Sequence, residues 1–268
     1  MKIIRLLAQP FTMLYRQRRL IANSTAAEIR QKYAGSLLGG WWLALSPVLL
    51  LAVYVVLYLY ILRFKPDQFT PGQYVLFMFC GLVPYFGIAD GLIAGMASLL
   101  SNTPILKSTV FPSEILPVRS VLASAVSFGI ALGLLLAGAI AGGYATPWML
   151  AVPMLVALQL LFVIGLAWVL SLVVLVLRDV QNVMGVLLMA LLIVSPIAFT
   201  PEMLPAPLRP VLWLNPLSYF MLAYQSVVVH GTAPAGWVLL TLTALCIATF
   251  VAGYGFFSAA RRIILEYA

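Results

Sequence analysis

At 268 residues, of which 64% are hydrophobic and only 8% charged, this chain has a mean hydropathy of +1.10. Soluble domains carry about 25% charged residues, so this inventory excludes a water-facing surface and requires an exterior that mostly meets lipid. The net charge of +8 raises nucleic acid as a partner, but its distribution along the chain follows membrane topology instead, and Cys80 and Cys246 lie far apart in separate apolar runs, as small core residues rather than a disulfide or metal site.

The amino-terminal segment, residues 1–34, holds seven basic residues: Lys2, Arg5, Arg16, Arg18, Arg19, Arg30 and Lys32. Phe11, Leu14 and Tyr15 alternate with Arg16, Arg18 and Arg19, a pattern that predicts an amphipathic helix lying in the membrane interface. Thr25 and Glu28 have the spacing of a capping box, in which each side chain satisfies the other residue's free backbone N–H, so a helix start is expected there. Ile29 and Tyr33 would then share a face, and Gly35 offers a stop.

Six apolar runs follow, at about 41–62, 74–100, 118–142, 148–177, 183–200 and 236–257, against the roughly 20 helical residues needed to cross a bilayer. The fifth is short and stops at Ser195-Pro196. The first begins late and is too long for the core of a signal peptide. The expectation is a single all-α membrane domain over 1–268 with six transmembrane helices. If the amino-terminal segment faces the cytoplasm, the same side collects Lys107, Arg119, Arg178, Arg261 and Arg262, leaving only Arg63, Lys65 and Arg209 opposite. This bias predicts that both termini are cytoplasmic, next to anionic headgroups.

Within the second run, Asp90 is an acid surrounded by apolar residues, which marks a functional position. Gly87, Gly91 and Gly95 recur every four residues around it and form a smooth face for close helix packing. Two roles stand open for Asp90: a proton relay, which would need ionisable partners on other spans, or a carboxylate that faces a wet cavity or bonds across a helix interface.

Between the second and third runs lies SNTPILKSTVFPSEILPVRS, too polar and too long for a simple turn of about two to eight residues. Thr103 can cap a short helix and Pro104 can begin it. Ile105, Leu106, Val110 and Phe111 would supply apolar contacts, with Lys107 on a more polar side, and Glu114 would sit in the first turn of the next helix. The segment 102–116 reads as a cytoplasmic helix that fills a groove on a partner.

After the fifth run, SPIAFTPEMLPAPLRPVLWLNP holds six prolines between Pro196 and Pro216, which excludes one continuous helix. Asn215-Pro216 has the form of a helix start, with Asn as cap. The run LSYFMLAYQSVVVH up to Gly231 spans roughly 21 Å, too short to cross about 30 Å of hydrocarbon, so 201–232 reads as a re-entrant or interfacial helical element on the outer side. Trp213, Tyr219 and Tyr224 suit that depth.

Enzymatic chemistry finds no footing. His230 is the sole histidine and precedes Gly231 at a helix end, where it can cap carbonyls. No paired carboxylates, metal cluster or nucleophile with a neighbouring base is visible, so no catalytic residue and no metal site are expected.

Several stretches together carry a resemblance. EIRQKYAGSLLGGWWLALSPVLLLAVYVVLY (28–58), FCGLVPYFGIADGL (79–92), SLLSNTPILKSTVFPSEILPV (98–118), VLVLRDV (174–180) and SPIAFTPEMLP with LNPLSYF (195–220) occur in the order found in ABC-2-type permease subunits. The chain resembles in particular the branch that exports polysaccharides, O-antigens and teichoic acids across the inner membrane. That resemblance implies six spans, a homodimer, a cytoplasmic coupling helix between spans two and three, and a re-entrant periplasmic hairpin between spans five and six. It also implies two copies of a separate cytoplasmic ATPase, which would hold the ATP and Mg; this chain has no phosphate loop, since its one Lys-Ser pair, Lys107-Ser108, follows Leu106 instead of glycine.

On this reading Thr103, Leu106, Lys107, Phe111 and Glu114 couple to the ATPase. Arg16, Arg18, Arg19, Arg30 and Lys32 meet a diphosphate headgroup. Trp41, Trp42, Tyr54, Tyr58 and Tyr85 line a glycan channel, with interfacial belt or core positions as the plain alternative for each ring. The implied cargo is a lipid-linked polysaccharide of capsule, O-antigen or teichoic type, with periplasmic export partners; a drug or small-lipid exporter of the same fold is the alternative.

Overall fold

The computed structural model describes residues 2–61, 69–108 and 111–260, with the backbone alone at 2–8, 59, 105, 107 and 108. Arg63, Lys65, Val110, Arg261 and Arg262, and the side chains of Lys2, Arg5, Ile105 and Lys107, therefore lie outside the described residues. Every regular element among the described residues is helical.

Two helices open the chain, α1 (Lys2–Arg16) and α2 (Arg18–Lys32). The expected helix start at Thr25 is not found. Here α2 already runs from Arg18, so the backbone N–H groups around Thr25 bond carbonyls of the preceding turn and need no cap. Freed from capping, Glu28 turns to another helix. The stop beyond Tyr33 does form, with Gly35 in the left-handed region at φ +79°. Helix α1 leans on the last span, where Phe11 meets Phe250 at 4.9 Å between ring centroids.

Among the described residues, five segments are long and apolar enough to cross a membrane: Gly39–Tyr58, Pro71–Ser101, Ile115–Ala141, Pro147–Val176 and Gly236–Ala259. They contain α3 (Trp42–Val55), which widens into a π turn over Val56–Ile61, then α4 (Pro71–Ser101), α6 (Ile115–Ala141), α7 (Val152–Val176) and α11 (Gly236–Ala259). Between α4 and α6 sits the short α5 (Thr103–Ser108). The fifth apolar run forms α8 (Val180–Val194), whose 15 residues reach about 22 Å, short of the roughly 30 Å hydrocarbon layer.

Helix α4 is the axis of the bundle, with α6, α7 and α10 packed around it. It begins with a complete capping box between Thr70 and Gln73. On its glycine side, a Cβ on Gly91 would stand 2.8 Å from Val163 of α7, and one on Gly95 would stand 2.5 Å from Ala167. Their absence lets α4 and α7 close together. Trp168, Phe220, Tyr224 and Phe250 fill the centre. By contrast α3 and α8 lie on the outside: Val53, Val56, Val186 and Ile193 are all half or more exposed.

The proline-rich segment folds as two 3₁₀ turns, α9 (Arg209–Leu214) and α10 (Pro216–Gln225), and α10 runs on as a π turn to His230. Asn215 does cap α10, accepting from the Leu217 N–H at 2.9 Å. Its amide also donates to Ser195 Oγ at 2.8 Å, and Gln225 donates to the Pro196 carbonyl at 2.8 Å. These bonds fasten α10 to the end of α8, inside the bundle rather than on its rim. Gly231, at φ +62°, ends the helix. His230 does lie in the last turn before Gly231, and among the described residues its ring stands edge-on to Phe77.

Candidate functional site

The end of the bundle that carries α2 and α5 is built around one cation. Arg119, in the first turns of α6, meets Glu28 of α2 at 2.9 Å between Nε and Oε2. Ser120 donates to the other carboxylate oxygen of Glu28 at 2.6 Å, and Arg119 donates to Asn102 Oδ1 at 2.5 Å. Only 12% of the Arg119 side chain and 26% of Glu28 are exposed, so each charge depends on the other for solvation. The guanidinium also lies 6.0 Å from the Phe111 ring centroid.

Asn102 gives this cluster its leverage. Helix α4 must end with orphan carbonyls; three consecutive side chains bond back onto its last turns, two of them to those orphans at Ser98 and Leu100. Ser101 Oγ donates to Ala97, Asn102 Nδ2 to Ser98 and Thr103 Oγ1 to Leu100, at 2.6, 2.7 and 2.8 Å. The chain can then break cleanly and start α5. One clasp of Glu28, Asn102, Arg119 and Ser120 thus joins α2, the α4–α5 corner and α6.

Of the residues expected to couple to a partner, Thr103 sits at the start of α5 with its hydroxyl turned back on α4. Leu106 and Phe111 are half-buried against the chain's own core, and so only partly available as outward anchors. The Glu114 carbonyl accepts from Trp168 Nε1 at 2.9 Å, which fixes the start of α6 to α7. Arg16, Arg18, Arg19, Arg30 and Lys32 are all exposed on α1 and α2, and Arg18 covers the Tyr15 ring at 4.4 Å.

The expected channel aromatics separate into groups. Tyr54 and Tyr58 are stacked 6.3 Å apart, and Tyr54 reaches Phe86 of α4 at 6.0 Å. Trp41 is 77% exposed. Tyr85 is buried, and its hydroxyl donates to the Leu188 carbonyl, so it pins α8 to α4. Trp42 lies instead on the wall of a cavity of about 600 Å³ between α3, α4 and α6, which Asp90, Lys32 and Ser124 also line. Gly87 faces the same space, where a Cβ would strike the Phe128 ring at 2.5 Å.

Sequence reasoning counted Arg119 as a topology charge and Glu28 as a cap, and passed over Asn102. A signal was present: an acid and a base, each beside an apolar run, on the same side of the membrane, need a partner when half-buried.

Residues 19–229 match the model of the family described as ABC-2 type transporter. The chain is 27% identical over 256 residues to the O-antigen export system permease protein RfbA of Myxococcus xanthus, covering 94% of this chain and 96% of that protein. A protein of the same name from Klebsiella pneumoniae is 23% identical over 216 residues, covering 80% of this chain and 81% of the relative. A second from the same organism is 22% identical over 214 residues, covering 79% and 81%. With the family match running from α2 to the end of the buried α10 and its π turn, the chain belongs to the ABC-2 type transporter family and is a membrane permease subunit served by a separate ATPase.

Proposed function

We propose that this chain is the permease of an ATP-driven exporter that moves a lipid-linked polysaccharide of O-antigen type from the cytoplasm to the periplasm across the inner membrane. One observation carries the reading: its relatives are O-antigen export permeases, and the likeness to one of them runs through nearly the whole of both chains. In this reading α8, completed by the residues after Ser195, is the fifth of six spans, and α9–α10 form a re-entrant outer hairpin before the sixth, α11. The positive-inside bias supports cytoplasmic termini.

A homodimer would cover the apolar faces that α3 and α8 present outward. Two ATPase subunits, holding ATP and Mg, would push on α5 and the residues up to Phe111. That push enters the clasp at Asn102 and Arg119 and passes to α2 and α6 together. The exposed cations of α1 and α2 suit a diphosphate headgroup, and the Tyr54–Tyr58 stack offers flat faces to passing sugars.

The test is deletion of the gene followed by identification of the lipid-linked glycan that accumulates in the inner leaflet. Accumulation of undelivered O-antigen, relieved by the wild-type gene, is expected. Normal surface glycan in the deletion strain would remove the proposal.

A further inference from the structure

The cavity between α3, α4 and α6 contains a carboxylate, Asp90, that glycan export leaves unused. Asp90 points into it, exposed, and makes no ion pair among the described residues. Lys32, exposed at the end of α2, lines the same cavity, with its ammonium 5.7 Å from the Tyr33 ring centroid. Ser124 and Ser127 of α6 also line the cavity. Behind these polar groups the walls turn apolar, with Leu50, Leu51, Phe86 and Ala131. At about 600 Å³ the space falls within the roughly 300–1,000 Å³ range that holds a small ligand.

Depth narrows the choice. Asp90 lies eleven residues from the end of α4 at Ser101, about 17 Å along the helix. At 31 residues α4 is about 46 Å long against roughly 30 Å of hydrocarbon, so with the excess shared between its ends this position lies about 9 Å into the chains of the near leaflet. Charge narrows it further. A diphosphate brought against Asp90 meets a carboxylate of like sign, which disfavours it, whereas an ammonium finds a charge-assisted bond there. One negative group inside and one positive group at the rim complement a zwitterion whose amine enters first.

We infer that each subunit holds one aminophospholipid of the phosphatidylethanolamine type in this cavity, with its ammonium on Asp90, its phosphate near Lys32 and its chains along α3. The lipid is a resident part of the subunit, separate from the exported cargo. It fills the gap that leaves α3 poorly packed on the bundle.

The full-length protein is placed in nanodiscs of equal parts phosphatidylethanolamine, phosphatidylcholine and phosphatidylglycerol, then stripped with detergent, and the retained lipid is counted by native mass spectrometry. One phosphatidylethanolamine per chain is expected, enriched about fivefold over either competitor. Asp90→Asn should lose that enrichment, Lys32→Gln should weaken it, and Ala94→Leu, which fills the cavity, should empty it. Asp90→Glu keeps the charge and should retain the lipid, which guards against reading misfolding as lost binding. Equal retention of phosphatidylcholine, enrichment of phosphatidylglycerol, or unchanged enrichment in folded Asp90→Asn overturns the inference. The readout needs neither ATPase nor glycan, so it stands apart from the export reading.

Discussion

Glu28 and Arg119 hold each other at 2.9 Å across the seam between α2 and α6. Because Arg119 also grips Asn102, the residue before α5, a displacement of α5 cannot stay local. Either the clasp breaks or α2 moves with it. Arg119→Ala should cost about 2–3 kcal/mol, since it strands a half-buried carboxylate and frees the α4 terminus. Denaturant unfolding in detergent measures this. Export should fall more than ATPase binding does, and the swap Glu28→Arg with Arg119→Glu should recover part of both losses.

Leu106 is expected to serve two masters. Replacing it with Asp should abolish pull-down of the ATPase, and it should also loosen α5, because the side chain is half-buried on its own bundle. Lys107→Glu separates the effects: it should weaken pull-down while the melting temperature of the isolated permease stays within about 2 °C. Full pull-down by both variants would rule out the assignment of α5 as the docking element.

The Tyr54–Tyr58 stack lies on the side of α3 that faces Phe86. Changing both to Ala should lower export at least about threefold, given roughly 0.5–1.5 kcal/mol per aromatic contact. Changing both to Phe should leave it near wild type. Rate of appearance of surface glycan is the measurement, with membrane abundance as the control.

Glycine substitutions along α7 and α11 should divide sharply. A Cβ on Gly165 would stand 2.5 Å from the backbone of Thr249, and one on Gly253 would press into the Gly165 carbonyl, while Gly255 has open space. Gly165→Ala and Gly253→Ala should each destabilise by about 1–3 kcal/mol or more. Gly255→Ala should be neutral, and membrane yield together with detergent melting curves distinguishes the two groups.

What was legible in the sequence was mostly local or compositional. Runs such as 74–100 announce themselves because spanning lipid demands about 20 apolar residues. Asn215-Pro216 could be read because a cap and its helix are neighbours. The same local logic failed at Thr25-x-x-Glu28, where an identical spacing falls inside a helix that began earlier. Whether such a pair caps depends on where the helix starts, which the four residues do not encode. The partners of Glu28 and the role of Tyr85 as a pin on α8 lie far along the chain and need the packed bundle to bring them together. Leu106 and Phe111 read as anchors for a partner; that they also lie half-buried on the chain's own core depends on residues far along the chain.

At the crossing of α7 and α11, backbone touches backbone with nothing to yield between. A joint of that kind admits neither sliding nor rolling, so these two helices form the keel of the subunit. Widening of a transport path is expected to fall on the helices outside that keel, with α3 and α8 the loosely moored planks on its flank.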